Sequence, residues 1–240
     1  MDRKRIPIML AVMFWMVVGG AGAEGSPVVF GMDHAVQSRY QWRGFTLDDS
    51  PVLQQGVRAG ISGFTAGIWG SFGIGTGPAD ADEVDYTLDY TRALGPVNLS
   101  LGYIVYDFPS ADLYSREFYA GLSAAHFLSP RLTWYHDHGD EEKGGGTGDY
   151  LEGALEVLTP LGKGPVTWSA RVLAGYNRHL FIEGEGLDVT LGTGFNWAVT
   201  EKVSISPGIA VTLPFGDLED PADGGQTRET VVGIKLACAS

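Results

Sequence analysis

The chain has 240 residues, with 35 glycines and a formal charge of −13 from 16 Lys and Arg against 29 Asp and Glu. That acidity excludes a nucleic-acid partner, which needs clustered bases to displace counterions. The absence of any apolar run of about 18 residues or more excludes helical membrane spans. The single cysteine, Cys238, excludes an intramolecular disulfide.

The first element is an export signal. MDRKR gives a positive start, residues 6–20 form an apolar run, and Ala21-Gly22-Ala23 is a small-residue cleavage site. The expected organisation is therefore a signal peptide over 1–23 and one domain over 24–240.

From residue 30 the pattern becomes strict alternation, the period of a strand whose two faces meet different surroundings. Phe30, Met32, His34, Val36, Tyr40 and Trp42 oppose Asp33, Gln37, Arg39, Gln41 and Arg43, which predicts one long strand over 30–42. Leu53, Val57 and Ile61 then oppose Gln54 and Arg58, and Phe64, Ile68 and Phe72 oppose Thr65 and Ser71. Val84, Tyr86, Leu88 and Tyr90 oppose Asp85 and Asp89, followed by Val97 to Val105 against Asn98 and Ser100. The second half repeats this around Phe118, Trp134, Leu155, Trp168, Leu191, Ile209 and Ile234. That makes twelve segments. Short connections (62–63, 93–96, 127–130, 159–165, 200–202) alternate with long ones near 45–51, 73–81, 107–116, 138–149, 178–186 and 214–226. The long ones carry most of the loop acids, whereas the short ones carry only Glu201.

This layout predicts an all-β fold: a transmembrane antiparallel up-and-down β-barrel of about twelve strands in the outer membrane of a Gram-negative cell. Its short turns and both termini would be periplasmic. A soluble barrel or sandwich would also alternate, but its apolar parity would have to fill the interior. Tyr40, Trp42, Tyr86, Tyr90, Trp134, Trp168, Tyr176, Phe195 and Trp197 sit on that parity, many near segment ends, as in an interfacial aromatic girdle.

The chain resembles the TorF family of porin-like proteins. The motifs are Ser38-Arg39-Tyr40 and Arg43-Gly44-Phe45, then Pro51 and Gly56, then Gly67-Ile68-Trp69-Gly70-Ser71. They continue through 85–90, Gly102-Tyr103 with Tyr106 and Pro109, Glu117 with Tyr119 and Gly121, Tyr135-His136-Asp137 and Tyr150-Leu151-Glu152. Phe108 stands where Tyr is expected, and the sequence given ends on a nonaromatic residue. The resemblance covers essentially the whole mature chain. It implies an outer-membrane barrel and passive solute passage, and it carries over no catalytic residue and no cofactor.

On the residues alone, the pore-lining candidates are the charges on the polar parity: Arg39, Arg43, Arg58, Asp85, Asp89, Glu117, Asp137, Glu152 and Arg171. Arg39 and Arg43 would share the lumen face of the first strand with Arg58 beside them, opposite an acidic strip. Acids outnumber bases, so a mild cation preference is expected. Gly67, Gly102, Gly121, Gly192 and Gly194 on the inward parity would leave lumen volume and favour a narrow pore over a plug. His136 and His138 share one strand face and Asp137 takes the other, so the three converge on a metal only in part, and only if the strand ends near Gly139. Asp140 to Glu142 and 217–225 lack the spaced pattern of a calcium loop, while Ser123 and His126 lie three apart on opposite strand faces and no G-x-S-x-G elbow is present for hydrolysis. The expected partners are outer-membrane lipid, lipopolysaccharide and small polar solutes or ions. A lipid hydrolase and a sealed barrel acting through acidic loops are the alternatives.

Overall fold

The computed structural model describes residues 28–75, 82–222 and 224–240. The signal peptide, its cleavage site and the loop acids Asp80 and Asp223 lie outside the described residues. The described residues form fourteen strands: β1 (Val29–Gln37), β2 (Tyr40–Trp42), β3 (Phe45–Asp48), β4 (Val52–Ile61), β5 (Phe64–Gly73), β6 (Glu83–Leu94) and β7 (Val97–Phe108). They continue as β8 (Leu113–Ala124), β9 (Arg131–His138), β10 (Thr147–Pro160), β11 (Val166–Arg178), β12 (Glu185–Ala198), β13 (Val203–Gly216) and β14 (Glu229–Ala239). Twelve form a closed barrel in which each strand pairs with its sequence neighbour and β1 closes on β14, Met32 opposite Cys238. All pairs are antiparallel.

Parity decides which solvent the wall faces. The apolar set points outward: Leu88 is 58 % exposed, Phe64 54 % and Val232 53 %, and similar residues recur on every wall strand. The polar set, including Thr65, Ser100, Thr133, Ser169, Asn196 and Thr212, is buried inside. A water-soluble monomer rarely exposes an apolar surface beyond a few hundred Å², so the soluble-barrel rival fails on this observation. Closure also leaves no wall strand with an unpaired edge, a requirement for backbone in hydrocarbon. Unboiled protein in a detergent gel should therefore migrate apart from boiled protein; identical mobility at all temperatures would contradict a closed wall.

The tight turns gather at one end. Ser62 and Gly63 both have positive φ, 51° and 89°, the geometry of a two-residue hairpin turn. At the other end the strands run further than alternation suggests: β7 and β8 stay paired to Phe108 opposite Leu113, so only 109–112 remains as loop.

The first segment departs most from its reading. β1 stops at Gln37, where Ser38 exchanges hydrogen bonds with Val232 on β14. The chain then leaves the wall, and β2 and β3 form a separate two-stranded hairpin inside the barrel. Its turn is Arg43-Gly44, again with two positive φ values, 47° and 86°. Tyr40 and Trp42 are accordingly not part of an outer girdle: Tyr40 is buried, and Trp42 packs against Phe45, Tyr106 and Phe181. Alternation identifies an apolar face without saying whether lipid or protein covers it, and here protein does. Tyr86, Trp134, Tyr176, Phe195 and Trp197 remain exposed on the outer wall.

Candidate functional site

The interior is organised around that hairpin. An isolated two-stranded hairpin is marginal in water, so its position depends on what it packs against. Two apolar clusters supply this support at the long-loop end of the lumen. Tyr119, Tyr135, Tyr150 and Leu180 form one, with Trp42 and Ile104 against it. Phe45, Ile182 and Leu218 form the other, with Trp42 and Leu47. Leu180 and Ile182 come from loop 179–184 and Leu218 from the segment that follows β13, and all three pack against hairpin residues.

Arg43, at the hairpin tip, is the centre of the arrangement. Its Nη1 and Nη2 donate to Glu117 Oε2 and Oε1 at 2.5 and 2.8 Å, and Tyr106 Oη donates to Glu117 Oε1 at 2.9 Å. The guanidinium carbon lies 4.1, 4.5 and 4.6 Å from the ring centroids of Tyr135, Trp42 and Tyr150. Glu117 is fully buried. A bidentate Arg–carboxylate pair is geometrically selective, and a desolvated cation over an aromatic face gains about 2 kcal/mol. Together these contacts clamp the hairpin to β7, β8, β9 and β10.

Three further interior carboxylates are held by hydroxyls of the wall. Asp188 accepts from Tyr150 Oη at 2.8 Å. Asp89 accepts from Tyr119 Oη at 2.7 Å and from Thr91 at 2.8 Å. Asp137 accepts from Ser115 and from the Gly139 amide. Nearer the short-turn end, Arg131 pairs with Glu152 at 2.8 Å, and Asp33 lies between Arg58 at 3.8 Å and Lys235 at 3.5 Å. Arg171 stands opposite Glu156 in the β10–β11 register. Glu83 and Asp85 share the inward face of β6 beneath Tyr40, with no ion-pair partner among the described residues.

Each pore-lining candidate therefore faces the interior, but they are not grouped as expected. Arg43 is not on the first strand: it crosses the lumen to Glu117, so a basic strip opposed to an acidic one does not exist. Arg39, beyond the end of β1, pairs with Glu229 on β14. The glycines also differ from expectation. A Cβ on Gly102 would lie 2.3 Å from the Tyr119 ring, so this glycine seats a side chain and leaves no free space. Gly175 seats Tyr150 in the same way. Gly67 and Gly192 are open. Residue-by-residue reading passed over Tyr106, Tyr150, Asp188, Glu83, Arg131 and Lys235. A tyrosine on the polar parity directly opposite a glycine exists for Tyr119 and Gly102, whereas Tyr150 pairs with Asn177 and reaches Gly175 only diagonally.

The lesser motifs resolve into structural roles. His136 and His138 point outward while Asp137 points inward, and His136 pairs with Asp149 at 3.0 Å. Asp140 caps the turn at Glu141–Lys143, and Asp217 accepts from the Glu185 amide. No group of three metal-ligating side chains converges among the described residues. Ser123 faces inward on β8, whereas His126 sits in turn 125–130 with its ring 4.5 Å from that of Phe127.

The fold has solved counterparts. The KdgM porin superposes with a TM-score of 0.55 at 12 % identity, over 85 % of this chain and 97 % of that one. The NanC porin gives 0.57 at 11 % identity, over 86 % and 98 %. An outer membrane channel from Pseudomonas putida F1 gives 0.54 at 9 %, over 94 % and 100 %. No family model and no curated protein matches the chain. At such identities the likeness establishes the barrel fold alone, and the TorF resemblance rests on its motifs.

Proposed function

We propose that the protein is an outer-membrane channel through which small polar solutes or ions pass passively, with a mild preference for cations and with the β2–β3 hairpin narrowing its long-loop end. The observation that carries this reading is the combination of a closed twelve-strand wall, apolar outside, with an interior lined by charges. On this reading the strands face outer-membrane lipid and lipopolysaccharide, and the short turns and both termini are periplasmic. Export by the N-terminal segment should leave a mature chain beginning at Glu24, and N-terminal sequencing that returned Met1 would oppose it.

Cation preference is supported by the interior charge. Asp33, Asp48, Glu83, Asp85, Asp89, Glu117, Asp137, Glu152, Glu156, Asp188 and Glu229 outnumber Arg39, Arg43, Arg58, Arg131, Arg171 and Lys235. Fixed charge of one sign in a narrow lumen enriches counterions. Since Glu117 neutralises Arg43, the acids that carry fixed charge with only neutral donors around them include Asp89 and Asp137. Asp89→Asn with Asp137→Asn should lower the cation-to-anion permeability ratio, measured by reversal potential in asymmetric KCl. The difference should shrink as the Debye length falls to about 3 Å in 1 M salt. Anion selectivity in the unsubstituted protein would contradict the assignment. A second reading, a barrel sealed by its own hairpin, draws on the apolar packing around Trp42 and Phe45, and an absence of current under all conditions would favour it.

A further inference from the structure

The Arg43 site has two parts of different origin. Tyr106, Glu117, Tyr135 and Tyr150 belong to β7, β8, β9 and β10, so barrel pairing fixes them. Arg43 arrives on a hairpin whose strands are only three and four residues long. If the hairpin lifted away, Trp42 would leave with it. The wall would keep the carboxylate that the hairpin now covers, two ring faces that had been 4.1 and 4.6 Å from the guanidinium, and the Tyr106 hydroxyl on Glu117.

A carboxylate that meets two guanidinium nitrogens at 2.5 and 2.8 Å matches that planar fork whichever molecule carries it. The aromatic faces select in the same direction, because they favour large, weakly hydrated cations over compact, strongly hydrated ones. Asp188 adds a second acid at the border, its Cβ 3.0 Å from where a Cβ on Gly44 would be. We propose that this wall pocket is a binding site for soluble organic cations of the guanidinium class, and that Arg43 is its tethered occupant. The pocket's chemistry stands on the contacts alone, but its use in solute passage rests on the channel reading above.

A tethered group competes at an effective concentration of about millimolar, so free guanidinium compounds well below about 1 mM should leave the unsubstituted protein unchanged. Removing the tethered group exposes the site. Agmatine titrated calorimetrically into refolded Arg43→Ala protein should bind saturably, at least about tenfold more tightly than to the unsubstituted protein. Adding Glu117→Gln should weaken that binding about tenfold or more, and tetramethylammonium at equal ionic strength should bind less well because it cannot form the paired hydrogen bonds. Absence of agmatine binding to Arg43→Ala protein that keeps its heat-dependent gel mobility would overturn the proposal, as would equal binding with Glu117→Gln present. Should Arg43→Ala not refold, Arg43→Gln keeps a hydrogen bond to Glu117 without the charge and carries the same expectations. Conductance is measured separately: agmatine binding without current would sink the channel reading and leave the pocket assignment, and current without agmatine binding would do the reverse.

Discussion

Glu117→Ala should release the hairpin from the wall. The carboxylate is fully buried and meets both terminal nitrogens of Arg43, so its loss strands a guanidinium in a site that excludes water. Removing one partner of a buried ion pair costs about 3–5 kcal/mol, which exceeds what a two-stranded hairpin can supply by itself. The rings of Tyr135 and Tyr150 cannot replace the lost hydrogen bonds, because they offer no acceptor in the guanidinium plane. Trypsin provides the readout. Arg39 and Arg43 should be protected in the unsubstituted protein and cleaved rapidly in Glu117→Ala, while the wall retains its gel mobility. Replacing both partners with methionine should restore much of the protection, because neither charge is then left alone. Full trypsin resistance of Glu117→Ala would show that apolar packing alone holds the hairpin.

Gly175→Ala should destabilise the barrel far more than its size suggests. A Cβ there would lie 1.8 Å from Tyr150 Oη and 2.5 Å from Asp188 Oδ1, so one methyl group displaces both ends of a buried hydrogen bond. Leaving two buried polar groups unsatisfied costs about 1–3 kcal/mol each. Gly102→Ala acts on the next tyrosine, with its Cβ 2.3 Å from Tyr119 Cζ, and threatens the Tyr119–Asp89 bond. Gly192 is the control: its nearest neighbours would be 3.8 Å away, so Gly192→Ala should stay within about 0.5 kcal/mol. The temperature at which the folded gel band is lost should fall clearly for Gly175→Ala and Gly102→Ala and hardly at all for Gly192→Ala. Equal behaviour of all three would mean that the tyrosines are not seated as described.

These two sites also mark what the sequence could and could not convey. Wall strands such as β6 and β12 are legible because alternation of Tyr86, Leu88 and Tyr90 with Asp85 and Asp89, or of Leu187, Val189 and Leu191 with Asp188 and Thr190, has one physical cause. The hairpin's first strand carries the same alternation through Tyr40 and Trp42, which reads as a lipid-facing side. The separating signal was local: Arg43-Gly44 fits a tight turn that would end a strand at that point. Which acids face the lumen follows from parity. That Glu117 meets Arg43 does not, because 74 residues separate them and the contact depends on a loop folding inward. Gly102 reads as space in the sequence, because sequence shows a missing side chain but not the Tyr119 ring that occupies its place.

Single-channel recording on the barrel with and without its hairpin tests the central claim most directly. Gln37 and Val52 already face each other across β1 and β4, so an Asn-Gly turn can replace residues 38–51 with the β1–β4 register kept and only the rim bonds between Ser38 and Val232 and between Pro51 and Ile74 lost. The account predicts a small, cation-preferring conductance for the intact protein and a several-fold larger one, still cation-preferring, once the hairpin is gone. No current from the hairpin-free barrel, or a current equal to that of the intact protein, would contradict it.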